Sequence, residues 1–247
     1  MATDGPLRGI VVGSVDVGES NKVVRLLTPD RGRVALMARG ARSSSKRFAG
    51  VLDLGTTVDA ELGRGRGRLA VLQSADRVTG PKRSRRDLDR LALLAYGCEL
   101  CDALCAEDEP APKLHGLLAH WIDILEGDTT PGEGARLALE GKALTFAGLA
   151  PALRHCASCG APLDDPAVFD VSGGGGRHSR CGGGVQGPAS TLAQFERLRR
   201  TPLADIVGEP PFEAGPFRWS LSRMVEAHVG RALRSRSLLV DLAAPRG

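Results

Sequence analysis

LRGIVVGSVDVGESNKVVRLLTPDRGRVALMAR, residues 7–39, alternates short β-branched runs with turn residues. The runs are Leu7–Val17, Asn21–Thr28 and Arg33–Arg39, broken by Gly18-Glu19-Ser20 and by Pro29-Asp30-Arg31-Gly32. Val, Ile and Leu in runs of this length, bounded by Gly, Pro and Asp, read as strands. Two more runs follow, Val51–Leu62 and Leu69–Val78, with Gly40–Gly50 and Gly63–Gly67 between them. Five short strands with Gly-rich turns predict a small closed or partly closed barrel. An OB-fold has this strand count and size; an SH3-like barrel shares the pattern, and periodicity does not separate the two.

Beyond the barrel the period changes. Pro81–Arg86 is a polar, basic hinge. From there Leu88, Leu91, Leu94, Cys98, Cys101 and Cys105 recur at three and four, the spacing of one helix face. Leu114, Leu117, Leu118, Trp121, Ile122 and Leu125 repeat it, Glu133–Leu149 makes a third helix, and Thr191–Arg199 and Phe217–Arg234 make two more. Between them His155–Pro188 is rich in Gly and Cys and poor in apolar residues, so it cannot bury a core of its own. The expected class is α+β and multidomain: a barrel over 1–80, a helical domain over 81–150 and 191–247, and a small metal-held insertion over 151–190.

That insertion carries the most specific local signal. Cys156 and Cys159, then His178 and Cys181, form two pairs each separated by two residues. Four soft or borderline ligands at this spacing match a tetrahedral structural Zn2+ site, each pair biting the ion from one tight turn. His178 stands where a Cys would complete a four-Cys ribbon, and Cys3His is itself a standard zinc shell. A closed shell leaves no position for a reactive water. Cys98, Cys101 and Cys105 lie on an apolar helix face and read as core.

Charge divides the chain. Residues 1–86 hold 17 Lys+Arg against 8 Asp+Glu, whereas residues 87–247 hold 16 against 21. A basic barrel beside an acidic remainder points to an anionic partner for the barrel. Its cations cluster as Arg39, Arg42, Lys46 and Arg47 after the third strand, as Arg64, Arg66 and Arg68 between the fourth and fifth, and as Lys82 and Arg83 in the hinge. Glycines between the arginines let backbone and guanidinium approach phosphates. Arg197, Arg199 and Arg200 would extend the basic surface. Phe48 is the sole aromatic residue before Tyr96. Base stacking on aromatic platforms is therefore minor, and binding should be electrostatic, salt-sensitive and sequence-blind. A protein that holds phosphates and leaves base edges free would let bound strands pair.

Catalysis has no signature here. The chain lacks a Gly-x4-Gly-Lys-Ser/Thr loop and a His-x-Glu beside its zinc cysteines. No run of eighteen apolar residues is present, and the N-terminus lacks a basic-then-apolar leader, so no membrane partner and a cytoplasmic, nucleoid-associated location are expected. Enzymatic rivals are a metal-dependent nuclease or deaminase. Non-enzymatic rivals are a protein-only adaptor and a zinc-containing RNA-binding or ribosome-associated factor.

Taken in order, these residues resemble the RecO family of DNA repair proteins over nearly the whole chain. Gly9-Ile-Val-Val with Gly18–Thr28 and Gly32 looks like that family's first barrel hairpin, and Arg39-Gly40-Ala41-Arg42 with Lys46 and Phe48 like its basic strand and loop. Tyr96 with Glu99-Leu100, Leu144–Pro151 before Cys156-x2-Cys159-Gly160, and Arg234–Leu239 resemble its later landmarks. His178 and the glycine run before it depart from the pattern. The resemblance implies an N-terminal OB-fold and a helical domain with a small zinc finger. It also implies binding and annealing of single- and double-stranded DNA, work with RecR and single-stranded-DNA-binding protein (SSB), indirect contact with RecF and RecA, and help in loading RecA on coated strands.

Overall fold

The structure, a computed structural model, describes residues 6–42, 48, 50–63 and 69–243. The chain divides into two compact units, Met1–Ile122 and Asp123–Gly247.

The first unit opens with five strands: β1 (Leu7–Val17), β2 (Asn21–Thr28), β3 (Gly32–Ala38), β4 (Thr57–Gly63) and β5 (Ala70–Thr79). They close as a barrel in the order β1-β2-β3-β5-β4, with β1 antiparallel to β4 and a short parallel pairing of Leu36 and Met37 with Ala70 and Val71. This Greek-key order is that of the OB-fold. Alternation decides what lies inside: Val24, Leu26, Val34, Leu36, Val58, Ala60 and Leu72 fill the barrel. A bulge between Val11 and Gly13 bends β1 around the closure.

The fourth strand starts later than the apolar run at Val51 implied. Val51–Thr56 folds as turns, with Val51 N–H donating to the Phe48 carbonyl and Thr56 N–H to that of Asp53. Leu52 and Phe48 are buried in the barrel core, so this run is apolar because it plugs the barrel, not because it pairs.

Helix α1 (Leu88–Leu104) packs on β1, and α2 (Pro112–Glu126) follows. Asp87 caps α1, its side chain accepting from Arg90 N–H at 3.0 Å. Cys98 and Cys101 are fully buried and Cys105 nearly so, and burial pushes all three thiols up, Cys101 to about 12. They are core residues, as their helical spacing implied.

The β2–β3 turn docks against the α1–α2 connection. Arg25 pairs with buried Asp102 at 2.9 Å, and Arg33 reaches the Asp102 carbonyl at 3.1 Å and Glu107 at 3.2 Å. Arg31 pairs with Asp108. Backbone bonds Arg33 N–H to Ala106 O and Ala111 N–H to Pro29 O complete the contact. Gly32, at φ +56°, sits so close that a Cβ there would fall 2.9 Å from Ala106 O and inside the Glu109 carbonyl oxygen.

In the second unit, α3 (Glu133–Phe146) packs on α4 (Ala189–Arg200), α5 (Leu203–Ile206) and α6 (Ser220–Val229), and α7 (Arg234–Ala243) ends the described chain. The single helix expected over Phe217–Arg234 is interrupted: α6 stops at Gly230, whose φ is +69°, and α7 restarts at Arg234. Between α3 and α4 lies a three-stranded sheet, β6 (Ala167–Asp170), β7 (Gly175–His178) and β8 (Val185–Gly187), ordered β7-β6-β8. This insertion contributes more apolar surface than its composition implied. Ala167, Val168 and Phe169 are buried, and the Phe169 ring lies 6.4 Å from that of Phe217. Arg136 stacks over Trp219 at 4.3 Å and pairs with buried Glu140.

Gly32→Ala should cost at least about 2 kcal/mol, combining a left-handed backbone penalty with a steric clash. Urea unfolding followed by circular dichroism would show the lowered midpoint, and an unchanged midpoint would refute the docking geometry.

Candidate metal centre and nucleic-acid interface

Two turns build the metal centre. In the first, Cys156 N–H donates to Ala161 O at 2.8 Å and Gly160 N–H to Cys156 O at 2.9 Å, folding Cys156–Ala161 back on itself. In the second, β7 delivers His178 and one turn of 3-10 helix, Ser179–Cys181, brings Cys181 beside it. Backbone pairing between Ala152 and the strand around Gly175 locks the two turns together: Gly176 N–H donates to Ala152 O at 2.7 Å. Gly175, at φ +121°, makes this approach possible, since a Cβ would lie 2.5 Å from that oxygen.

The ligand atoms of Cys156, Cys159, His178 and Cys181 all lie within 4.8 Å of one another, and theirs is the one such group among the described residues. Tetrahedral Zn2+ with Zn–S of about 2.3 Å and Zn–N of about 2.0 Å requires S···N separations of about 3.6 Å. His178 Nδ1 lies 3.4 Å from Cys159 Sγ and 3.8 Å from Cys181 Sγ, bracketing that value. The imidazole is also set in the right tautomer. Its Nε2 is 2.8 Å from the Pro162 carbonyl, which can only accept, so Nε2 carries the proton and the Nδ1 lone pair faces the sulfurs. Asp164 Oδ1 stands 3.7 Å from the same Nε2, while Arg180 hydrogen-bonds Asp164 and holds its carboxyl below the usual range.

Burial pushes the Cys156 thiol up, but backbone N–H groups of Cys159, His178 and Ser158 outweigh it and bring the thiol down to about 6. Burial and the neighbouring sulfurs of Cys156 and Cys159 raise Cys181. Three sulfurs this close cannot all ionise without a cation among them, and Zn2+ supplies that charge. The donor set therefore fits a metal ion such as zinc, which Cys156, Cys159, His178 and Cys181 would hold. Four protein ligands would leave no open position, and bound metal would tie together the two turns.

Pro162 and Asp164 escaped the sequence reading. Asp164-Asp165 reads as a plain turn, and nothing in it signals that one carboxylate faces the histidine while the other, Asp165, accepts from Ala189 N–H at the start of α4.

The basic residues of the barrel fall into three groups. Arg39, just past β3, is exposed, as are Lys82 and Arg83 after β5. Arg42 is committed in part to the fold: its guanidinium donates to Gly18 O at 2.8 Å and pairs with Asp16 at 3.2 Å, fastening the β3–β4 loop to the β1–β2 turn. Lys46, Arg47, Arg64, Arg66 and Arg68 lie outside the described residues. Arg85 ties the hinge to the barrel through Asp53 at 2.6 Å. In the second unit, Arg197, Arg199 and Arg200 all have carboxylate partners. Arg197 makes a two-bond pair with Glu209 at 2.7 Å, and Arg199 and Arg200 both bind Glu196.

No helix among the described residues is long and apolar enough to cross a membrane. Residues 5–81 match the family model described as Recombination protein O N terminal, and residues 85–237 match Recombination protein O C terminal. The chain is 39% identical over 244 residues to DNA repair protein RecO of Anaeromyxobacter sp. (strain K), covering 96% of each chain. It is 34% identical over 240 residues to DNA repair protein RecO of Myxococcus xanthus, covering 94% of this chain and 96% of that one. A third, DNA repair protein RecO of Pelobacter propionicus, is 31% identical over 238 residues, with 96% of each chain covered.

Purified protein should carry about one zinc per chain, the stoichiometry of a single Cys3His shell. His178→Ala should lose the metal and lower the melting temperature, whereas His178→Cys should retain it. Metal content by atomic emission, with a melt before and after chelation, checks both; a metal-free wild type with an unaltered melt would contradict the site.

Proposed function

The chain belongs to the RecO family of DNA repair and recombination proteins, and from that premise we propose that it is a non-enzymatic mediator that binds single- and double-stranded DNA and anneals complementary strands. The observation that carries the reading is an OB-type barrel whose residues 1–86 have nine more cations than acids. Faces and loops of such barrels take up oligonucleotides, and the basic loops here suit phosphates. On this reading Arg39, Arg42, Lys46, Arg47, Arg64, Arg66, Arg68, Lys82 and Arg83 supply the phosphate contacts. The barrel offers no aromatic clamp on bases, so bound strands keep their pairing edges available to a complement.

The further steps are part of the same proposal: action with RecR and SSB, and loading of RecA on SSB-coated strands. RecR and SSB would meet the protein away from the phosphate-binding loops, since those loops are occupied while DNA is held. Zinc takes no part in chemistry; its role is to keep the insertion between α3 and α4 folded.

Annealing of two complementary labelled oligonucleotides, bare and SSB-coated, tests the proposal. Wild-type protein should accelerate annealing, and Arg39/Arg42/Lys46/Arg47→Ala should abolish most of the acceleration. Its salt slope for DNA binding should shrink by roughly 1 for each phosphate contact removed. Absence of acceleration at low salt, or clear preference for RNA oligonucleotides in competition, would overturn it.

A further inference from the structure

The outer wall of the barrel carries an apolar row that the alternation pattern hides. On β2, Val24 and Leu26 point inward, so Val23, Arg25 and Leu27 point outward. Register then defines successive outer positions. Leu27 lies opposite Ile10, and both are buried although neither belongs to the barrel interior; α1 packs on β1, the strand of Ile10. Next comes Arg25, opposite Gly13 and Ala35 and drawn to Asp102. Beyond it the register joins Val15 to Val23, Val23 to Met37, and Met37 to Val71, one row across β1, β2, β3 and β5. Val15 is 53% exposed, and Val23, Met37 and Val71 are each partly exposed.

This row lies across β2 and β3, the face on which OB-type barrels receive oligonucleotides. At an interstrand spacing of about 4.8 Å it runs about 14 Å, room for a few nucleotides. It has no aromatic member, and its side chains are aliphatic or thioether. Cations border one end. Lys22 pairs in register with Ala38, one residue before exposed Arg39, and Arg42 lies against the β1–β2 turn. Asp16 partly offsets Lys22 and Arg42, at 3.6 Å and 3.2 Å, and Glu19 is exposed nearby in the turn.

We propose that the Val15–Val23–Met37–Val71 row is a base-contact platform, on which unstacked bases of a single strand lie with their faces against aliphatic side chains while phosphates run past Arg39. The proposal rests on the DNA-binding reading above and adds a separate contribution to it. Base faces are covered and Watson–Crick edges are left outward. Affinity then depends on the presence of bases but not on their sequence, since every base offers an apolar face. The thioether of Met37, flexible and polarisable, adapts to purine and pyrimidine alike.

The test compares a 25-nucleotide dT strand with an abasic strand of equal length and charge. Wild-type protein should hold the dT strand more tightly. Val23→Thr/Met37→Gln, which keeps side-chain shape while adding polarity, should bind the dT strand about tenfold more weakly, the scale of one lost base contact, with abasic binding and salt slope unchanged. Arg39→Ala should weaken both strands and flatten the slope. Met37→Trp should tighten dT binding by at least about threefold, with indole quenching that the abasic strand does not produce. Equal wild-type affinity for the two strands, or no response to any change in the row, would overturn the platform while leaving phosphate binding intact. Failure to bind either strand would overturn both.

Discussion

The docking of the β2–β3 turn against the α1–α2 connection organises the first unit, and it does so by consuming charge. Arg25, Arg31 and Arg33 would make the hairpin a strongly basic surface if they stood alone. Asp102, Asp108 and Glu107 take them up, and Gly32 allows the two backbones to approach closely enough for this. Asp102 is almost wholly buried, so moving Arg25 away would take a charge-assisted partner from a desolvated carboxylate. The net positive charge of residues 1–86 is therefore not spread over the barrel. The cations of the β2–β3 hairpin are neutralised at the α1 side.

That sorting explains why the sequence was only partly legible. Alternation of β-branched residues located β1, β2, β3 and β5 closely, because pairing and burial impose the same period. It misplaced the start of β4, since Leu52 is apolar for a different reason: it stops the end of the barrel. The four clustered donors were legible because their spacing is set by turn geometry, which is local. The tautomer of His178 was not, because it depends on a Pro162 carbonyl that only the fold brings within 2.8 Å. Basic residues were legible as charges but not as partners; Arg42 and Arg197 look alike in sequence to Arg39, and only contacts reveal that they are engaged.

The outer row is the clearest case of information that composition holds and periodicity conceals. In a small barrel an apolar residue on the inner face and one on the outer face read the same. Val23 and Val24 are adjacent valines with opposite fates, one in the wall and one in the core. Parity alone assigns the faces within a strand. Joining Val15, Val23, Met37 and Val71 into one surface needs the register of three pairings, including the short parallel closure of β3 on β5. A bulge between Val11 and Gly13 shifts the parity of β1 on the way, so counting by twos from the start of the strand would place Val15 on the inner face.

On the proposed annealing reading, phosphate contacts and base-face contacts make different demands, because the strands would have to be released as duplex. Electrostatic contacts hold strand and duplex alike, and since a duplex carries more phosphate charge than a strand, alone they would retain the duplex. Contacts to base faces exist only while bases are unstacked, so they are lost as pairing proceeds. A barrel that combines basic loops with a weak aliphatic face holds a single strand open, and its hold declines as the complement zips along it. Aromatic residues in the same row would add one to several kcal/mol per base and resist that release. The scarcity of aromatic residues in the barrel, which first reads as a deficiency for binding single strands, is thus consistent with a protein whose task ends when two strands have paired.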